Sequence, residues 1–181
     1  MAYGEAMPAK LPAWERDMTS ISYIIHTDGS CMGNGTQFAK GGYGAVLRRS
    51  DGAVLEIAGP LNDGITPTSP RAEMVAVIRA LQRLKAPSVV TLYCDNEMVV
   101  KGVNEWLPGW KAKGWKRKKN KPVENVDLWE AIDALVQYHQ VTFVWVRGHT
   151  GNADNERADV LASRGCLGER IDYRQEAQLA T

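Results

Sequence analysis

The sequence predicts an α/β domain, a mixed sheet flanked by helices. Three strand-like runs come first, and strands then alternate with helix-like segments. Asp51-Gly52, between the runs at 41–48 and 53–59, is a hairpin signal, so the first three strands form an antiparallel meander. The later runs, at 89–94 and 141–146, each follow a helical pattern. They need crossover connections, which run right-handed. A chain of 181 residues suits one domain of this kind.

Taken in order, residues 1–20 contain Pro8 and Pro12 without periodicity and read as a flexible N-terminal extension. Residues 21–27 are an apolar run ending at Asp28, with turn chemistry in Gly29-Ser30 and Gly33-Asn34-Gly35. After a loop at 60–68, Ser69 is an N-cap type and Pro70 suits the first helical position. Met74, Val77, Ile78, Leu81 and Leu84 follow at helical spacing, and Pro87 closes that helix. The β-branched run 89–94 is a central strand ending at Asp95. A short helix begins at Asn96, includes Met98, Val99 and Val103, and is interrupted by Pro108. Leu128, Ile132 and Leu135 mark a helix over 126–138, and 141–146 is the fifth strand. A loop at Gly148-His149-Thr150-Gly151 precedes a helix over 155–164 with Gly165 as its stop. Residues 166–181 read as a C-terminal tail. No internal repeat is present.

Composition is that of an ordinary globular protein, with 44% apolar and 24% charged residues. The net charge of +1 hides a local excess: residues 111–121 hold seven Lys or Arg and no acid. Cys31, Cys94 and Cys166 are few, odd in number and widely spaced, which excludes a disulfide framework and a zinc pattern. No run approaches the length of a membrane span, and the N-terminus lacks the apolar core of a signal peptide. The expectation is a cytoplasmic monomer with no membrane association and no obligatory protein partner.

Four carboxylates stand out. Asp28 and Asp95 close two strands that can be parallel neighbours, which brings both to one sheet edge, where sites of open α/β sheets form. Glu73 lies in a first helical turn and Asp159 on the last helix. Each alone has a structural reading: a turn residue, a dipole partner, an N-cap or a solvated helix position. Together they suit divalent metal. Two magnesium ions about 3.5–4 Å apart can activate water and stabilise the leaving oxygen of a phosphodiester, and magnesium takes hard oxygen ligands. Clustered carboxylates without metal raise one another's pKa. Trp106, Trp110 and Trp115 are interleaved with Lys111, Lys113, Lys116, Arg117, Lys118 and Lys119. That mixture suits a nucleic-acid surface, although some of these tryptophans can serve to pack the excursion onto the body.

With these pieces in place, the chain closely resembles type 1 ribonuclease H of the bacterial kind with a basic protrusion. The matching segments are Thr27-Asp28-Gly29-Ser30-Cys31, Gly41-Gly42-Tyr43-Gly44-Ala45, Arg71-Ala72-Glu73 and Asp95. They continue with Trp106 to Trp115, Pro122-Val123-Glu124-Asn125-Val126-Asp127-Leu128-Trp129, Trp145-Val146-Arg147-Gly148-His149 and Asn155-Glu156-Arg157-Ala158-Asp159. They run in the family's order over residues 21–165, which would be the catalytic domain. The resemblance implies a ribonuclease H-like fold: a mixed five-stranded sheet, an antiparallel three-strand meander plus two parallel strands, flanked by helices. It implies a metal-dependent endonuclease that hydrolyses the RNA strand of RNA/DNA hybrids without sequence specificity. Such an enzyme uses two-metal-ion catalysis, leaves 5′-phosphate and 3′-hydroxyl ends, and removes RNA from hybrids in replication and repair.

By motif, Asp28, Glu73, Asp95 and Asp159 carry over as ligands of two Mg2+ ions, with Mn2+ as a possible substitute, and Asp28 as the shared ligand. His149 carries over as the loop histidine that assists proton transfer or product release. Residues 106–122 carry over as the basic protrusion that grips the hybrid. A hybrid is told from DNA by the 2′-hydroxyls of its minor groove, which Cys31, Gly33, Asn34, Ser69 and Asn96 are placed to meet. The chain departs from the family in a longer 35–40 loop, in Ser69-Pro70 where bacterial members often have two asparagines, and in Asn96-Glu97 where Ser-Gln is common. Two other readings compete: a related metal nuclease or integrase-like enzyme acting on DNA, and a non-catalytic binder. The histidine loop with the tryptophan-rich protrusion disfavours the first. The intact carboxylate set disfavours the second.

Overall fold

The computed structural model describes residues 21–34, 36–148 and 150–177. The expected N-terminal extension, residues 1–20, lies outside them. Strands β1 (Ser22–Met32), β2 (Lys40–Arg49) and β3 (Val54–Pro60) form the antiparallel meander. β1 does not close at Asp28 as expected but continues through Gly29-Ser30 to Met32, because those residues pair with Tyr43 to Lys40 of β2. Asp51 shapes the β2–β3 turn. Its carboxylate accepts from the Ala53 N–H at 3.1 Å, and Gly52 takes a φ of +93°, a conformation that favours glycine.

Helix α1 (Ser69–Gln82) crosses to β4 (Val89–Cys94), which pairs parallel with β1. The N-cap of α1 is Thr68, one residue before the expected Ser69, and its side chain accepts from the Arg71 N–H at 3.3 Å. A Thr and a Ser offer the same capping oxygen, so the pattern alone does not choose between them. The helix also ends before Pro87: the Arg83 and Leu84 N–H groups bond to Ala80 and Leu81 at 3.2 and 3.1 Å, tightening the last turn.

Pro108 does not interrupt the next helix. Helix α2 (Glu97–Lys101) runs through a π-helical turn (Gly102–Trp106) into α3 (Leu107–Ala112). Pro108 falls in the first turn of α3, where its missing N–H costs little. Helix α4 (Val126–Tyr138) leads to β5 (Gln140–Trp145), parallel to β4, and α5 (Ala153–Cys166) follows.

Gly165 is not a helix stop. It lies inside α5, where a Cβ would stand 2.6 Å from the Gly59 carbonyl oxygen. Its small size serves contact with the sheet rather than chain reversal. Part of the expected C-terminal tail is also ordered. Ile171–Gln175 form β6, antiparallel to β3, so the sheet has six strands rather than five, in the order β5-β4-β1-β2-β3-β6.

The two faces of the sheet carry different cores. Ala45 and Leu47 of β2 join Ile25, Ile57 and Leu92 in a large cluster with Met74, Val77, Ile78 and Leu81 of α1 and Leu128 and Ile132 of α4. Val46, between them, points the other way and meets Ala58 and Leu161 under α5. This is the period-2 alternation of a strand covered on both faces. Each fully buried Leu or Ile contributes about 1.5–3 kcal/mol relative to exposure, so the large face dominates stability and the α5 face mainly fixes where that helix lies.

Candidate active site

Two glycine contacts set the site. On the α1 side, a Cβ at Gly29 would lie 2.2 Å from the Glu73 backbone nitrogen. Only glycine lets α1 come this close to β1, and this brings Glu73 beside Asp28. On the α5 side, a Cβ at Gly44 would lie 2.3 Å from the Ala162 nitrogen and 2.4 Å from the Ala158 oxygen. Gly44 is the register partner of Asp28, so the helix turn that carries Asp159 rests against the strand pair that carries Asp28. Asp95 follows the end of β4, the strand parallel to β1.

The four predicted carboxylates therefore converge from β1, α1, the end of β4 and α5. Asp28 and Glu73 are buried, and Asp95 and Asp159 are half-buried. Asp28 and Asp159 share a side-chain hydrogen bond. Burial pushes the Asp28 carboxyl up to about 7, and the charges of Asp95 and Asp159 add to the effect. Burial also raises Glu73 well above the usual carboxylate range, with Asp28 and Asp95 reinforcing it. The Gly29 N–H opposes the shift at both groups.

This cluster fits divalent metal. Its donors are hard oxygens, its mutual repulsion is what a cation would relieve, and Glu73 Oε2 is buried with no hydrogen-bond partner among the described residues. Glu73 and Asp95 offer ligand atoms within 4.8 Å of each other and of Cys94 Sγ. Cys94 is a neighbour that the sequence did not single out. Its thiol is fully buried and burial drives its pKa far up, so it stays protonated. A soft, neutral sulfur is a poor magnesium ligand, and Cys94 serves as packing beneath the acids.

His149 lies outside the described residues. Its neighbours are placed: a Cβ at Gly148 would stand 2.8 Å from Asp95 Oδ2, and the Thr150 hydroxyl donates to the Arg147 carbonyl at 2.8 Å. The groove candidates are partly gathered. Asn34 Oδ1 accepts from the Ser69 N–H at 3.1 Å, which ties the β1–β2 loop, after Cys31 and Gly33, to the start of α1. Asn96 is the N-cap of α2, its oxygen accepting from the Met98 and Val99 N–H groups at 3.1 and 3.3 Å. That role occupies the amide oxygen and leaves the NH2 group as the side chain's other polar end.

The basic segment divides into anchors and free charge. Trp110 stacks edge-on against buried Trp129, with ring centroids 5.2 Å apart. Gly102 makes room for the same ring, because a Cβ there would fall 2.1 Å from it. Trp115 also packs on the core. Trp106 lies 5.6 Å from Trp110 and is 36% exposed, the one of the three with substantial free surface. Lys111 pairs with Asp133 at 2.6 Å and Arg117 with Glu124 at 2.9 Å. Lys113, Lys116, Lys118 and Lys119 are exposed. Arg71, two residues before Glu73, is a buried hub. It reaches Asp63 at 2.8 Å, Asp127 at 2.5 Å and Asn125 at 3.2 Å, and so joins the start of α1 to the point where the basic segment returns into α4.

Residues 20–167 match the RNase H family. The chain belongs to the ribonuclease H family. Among its relatives is the ribonuclease H of Cupriavidus pinatubonensis, 51% identical over 142 residues, which cover 78% of this chain and 93% of that protein. The ribonuclease H of Thiobacillus denitrificans is 48% identical over 153 residues, 84% and 99% of the two chains. Among solved structures, LC9-RNase H1, a type 1 RNase H with the type 2 active-site motif, superposes with a TM-score of 0.75 at 27% identity, over 87% of this chain and 80% of that one. A foamy viral protease-reverse transcriptase solved with RNA/DNA hybrid shares the fold, with a TM-score of 0.64 at 22% identity over 90% of this chain and 22% of that one. As a ribonuclease H, the protein is a nuclease and a hydrolase, and the family is metal-dependent. Among the described residues, no helix is long and apolar enough to cross a membrane.

Proposed function

We propose that this ribonuclease H cuts the RNA strand of RNA/DNA hybrids endonucleolytically, with two divalent ions held by Asp28, Glu73, Asp95 and Asp159. The observation that carries the reading is the convergence of those four carboxylates from four separate elements, with Asp28 raised to about 7 by burial and by its acidic neighbours. Bound there, the ions would supply an activated water and a stabilised leaving oxygen. Asp28 bonds to Asp159 and interacts with the charge of Glu73, and so suits a ligand shared by both ions. The water oxygen bonds to phosphorus as the P–O3′ bond breaks. The departing 3′-oxygen takes a proton, leaving 3′-hydroxyl and 5′-phosphate ends. His149, a few residues after β5 in the chain, assists that proton transfer or product release.

Cys31, Gly33, Asn34, Ser69 and the Asn96 amide would meet the minor groove, where 2′-hydroxyls mark the RNA. Trp106 with Lys113, Lys116, Lys118 and Lys119 would follow the partner backbone, with Trp110, Trp115, Lys111 and Arg117 shaping that surface. Engaging backbone rather than base edges makes the activity independent of sequence. Residues 21–165 form the catalytic domain in this proposal. It extends to magnesium, with manganese as a substitute, to action as a cytoplasmic monomer without an obligatory partner, and to removal of RNA during replication and repair.

The test is cleavage of labelled RNA/DNA, RNA/RNA and DNA/DNA duplexes, each with magnesium and with chelator. Metal-dependent cutting of only the RNA strand of the hybrid is expected. Cutting of DNA, or binding without cutting in either metal, would overturn the proposal.

A further inference from the structure

Asp95 differs from the other three acids in how it is held. Asp28 sits within a paired strand, and Glu73 and Asp159 within helices. Asp95 stands between the end of β4 and the start of α2. The Val146 N–H donates to the Cys94 carbonyl at 3.1 Å. One residue further on, a side chain takes over: Trp145 Nε1–H donates to the Asp95 carbonyl oxygen at 3.0 Å. On the carboxylate side, the backbone of Gly148 forms the wall, since a Cβ there would stand 2.8 Å from Oδ2. Packing does not explain the indole. Trp145 is 49% exposed, whereas a ring present only for its apolar area gains by burying it.

We propose that Trp145 and Gly148 are positioning residues that fix the Asp95 carboxylate and thereby set the divalent-ion affinity of the site. The inference rests on the reading of Asp95 as a metal ligand. Magnesium and manganese sites need their oxygens held in near-octahedral directions. A ligand on a connecting segment has no helix or ladder of its own to hold it there. The indole bond fixes its peptide plane, and the absent Cβ at Gly148 leaves its carboxylate room beside Glu73. Both come from the segment that leads to His149, so one short stretch sets the geometry of an acid and carries the histidine.

The experiment is a calorimetric titration of Mn2+ into the full chain without substrate, beside kcat and KM on an RNA/DNA hybrid. Trp145→Phe keeps an aromatic ring and removes the N–H. Gly148→Ala adds a methyl group that Oδ2 must swing away from. Each is expected to weaken Mn2+ binding about 10-fold, the lower end for groups that orient a ligand. The hybrid KM should stay unchanged while kcat falls at limiting metal, and far-UV circular dichroism should match the parent. If Trp145→Phe does not fold, Gly148→Ala carries the test. Mn2+ binding as tight as the parent's in the folded variants overturns the proposal, and so does a change confined to KM. Asp95→Asn separates the two levels. If it binds Mn2+ like the parent, the ligand assignment itself fails. If it loses binding while Trp145→Phe and Gly148→Ala do not, the positioning inference alone fails.

Discussion

Asp28 lies directly across the β1–β2 ladder from Gly44, and Gly44 is where the backbone of α5 meets the sheet. The position of Asp159 relative to Asp28 is therefore set by the absence of a side chain. Gly44→Ala would place a methyl group 2.3–2.7 Å from Ala162, Ala158 and Leu161. We expect a loss of about 2–3 kcal/mol as the helix is pushed outward and a fall in kcat as Asp159 moves away. Urea unfolding and steady-state kinetics would read the two effects. An unchanged midpoint would mean that α5 has room to spare.

Asp28→Asn should raise the stability of the metal-free protein above neutral pH. The folded carboxyl titrates near 7, above its ordinary 3.8. Its stability contribution is then full below about pH 4 and is lost as pH rises through 7. At pH 8 the charge penalises the fold by at most about 4 kcal/mol, from about three pKa units, and the amide removes that penalty. Thermal unfolding in chelator should show the variant ahead of the parent at pH 8 and level with it below pH 4. The same variant should lose metal-dependent cleavage.

His139 should act with the opposite sign. It caps the C-terminal end of α4, buried, its Nδ1 without a hydrogen-bond partner among the described residues. Burial holds its pKa down at about 4, against an ordinary 6.5. The unfolded chain takes up this proton first, so stability is full above pH 6.5 and declines as pH falls toward 4, by at most about 3 kcal/mol. A His139→Leu variant should flatten the acid side of the stability profile. A profile unchanged by that substitution would place the acid sensitivity elsewhere.

The basic segment should respond unevenly to charge removal. Neutralising Lys113, Lys116, Lys118 and Lys119 should weaken hybrid binding and reduce its salt slope by about 0.9 for each duplex phosphate no longer neutralised. Lys111→Gln and Arg117→Gln remove charges already paired with Asp133 and Glu124, and should change the slope less. Binding isotherms across a salt series decide it, and equal slopes for both sets would contradict the division.

His149→Ala should slow turnover by about 10²-fold or less, as suits an assisting acid or base rather than a metal ligand. Single-turnover rates compared with steady-state rates would show whether chemistry or release is affected. A rate equal to the parent's would remove His149 from the mechanism.

The elements that carry the site were legible in the sequence because their signals are local. The β4 run stops just before Asp95, helical spacing surrounds Glu73, and the meander is announced by Asp51-Gly52, whereas β1 runs on past Asp28 because its continuation is held by pairing with β2. What was not legible depends on residues distant in the chain. Thr68 rather than Ser69 caps α1. Asn96 is the cap of α2, its amide oxygen taken by the Met98 and Val99 N–H groups. Gly29 and Gly44 matter through helices that arrive later. Nothing around Trp145 in the sequence shows that its indole will bond to a carbonyl fifty residues earlier. β6 escaped because Asp-Tyr-Arg-Gln lacks the apolar alternation of a covered strand, as suits a strand at a sheet's border.

That last strand has a consequence for solubility. Val54, Leu55, Ile57 and Ala58 make β3 an apolar ribbon whose outer hydrogen-bonding side would otherwise be open. β6 pairs along it from Ala58 to Val54 and presents Asp172 and Arg174 in its place, with Asp172 tied to Arg83 at 2.7 Å and Arg174 to Glu176 at 2.8 Å. A sticky border that could recruit a second chain strand by strand is exchanged for a short, charged one. The few residues after α5 thus exchange the border that β3 would present for a charged one, quite separately from anything that happens at the four acids.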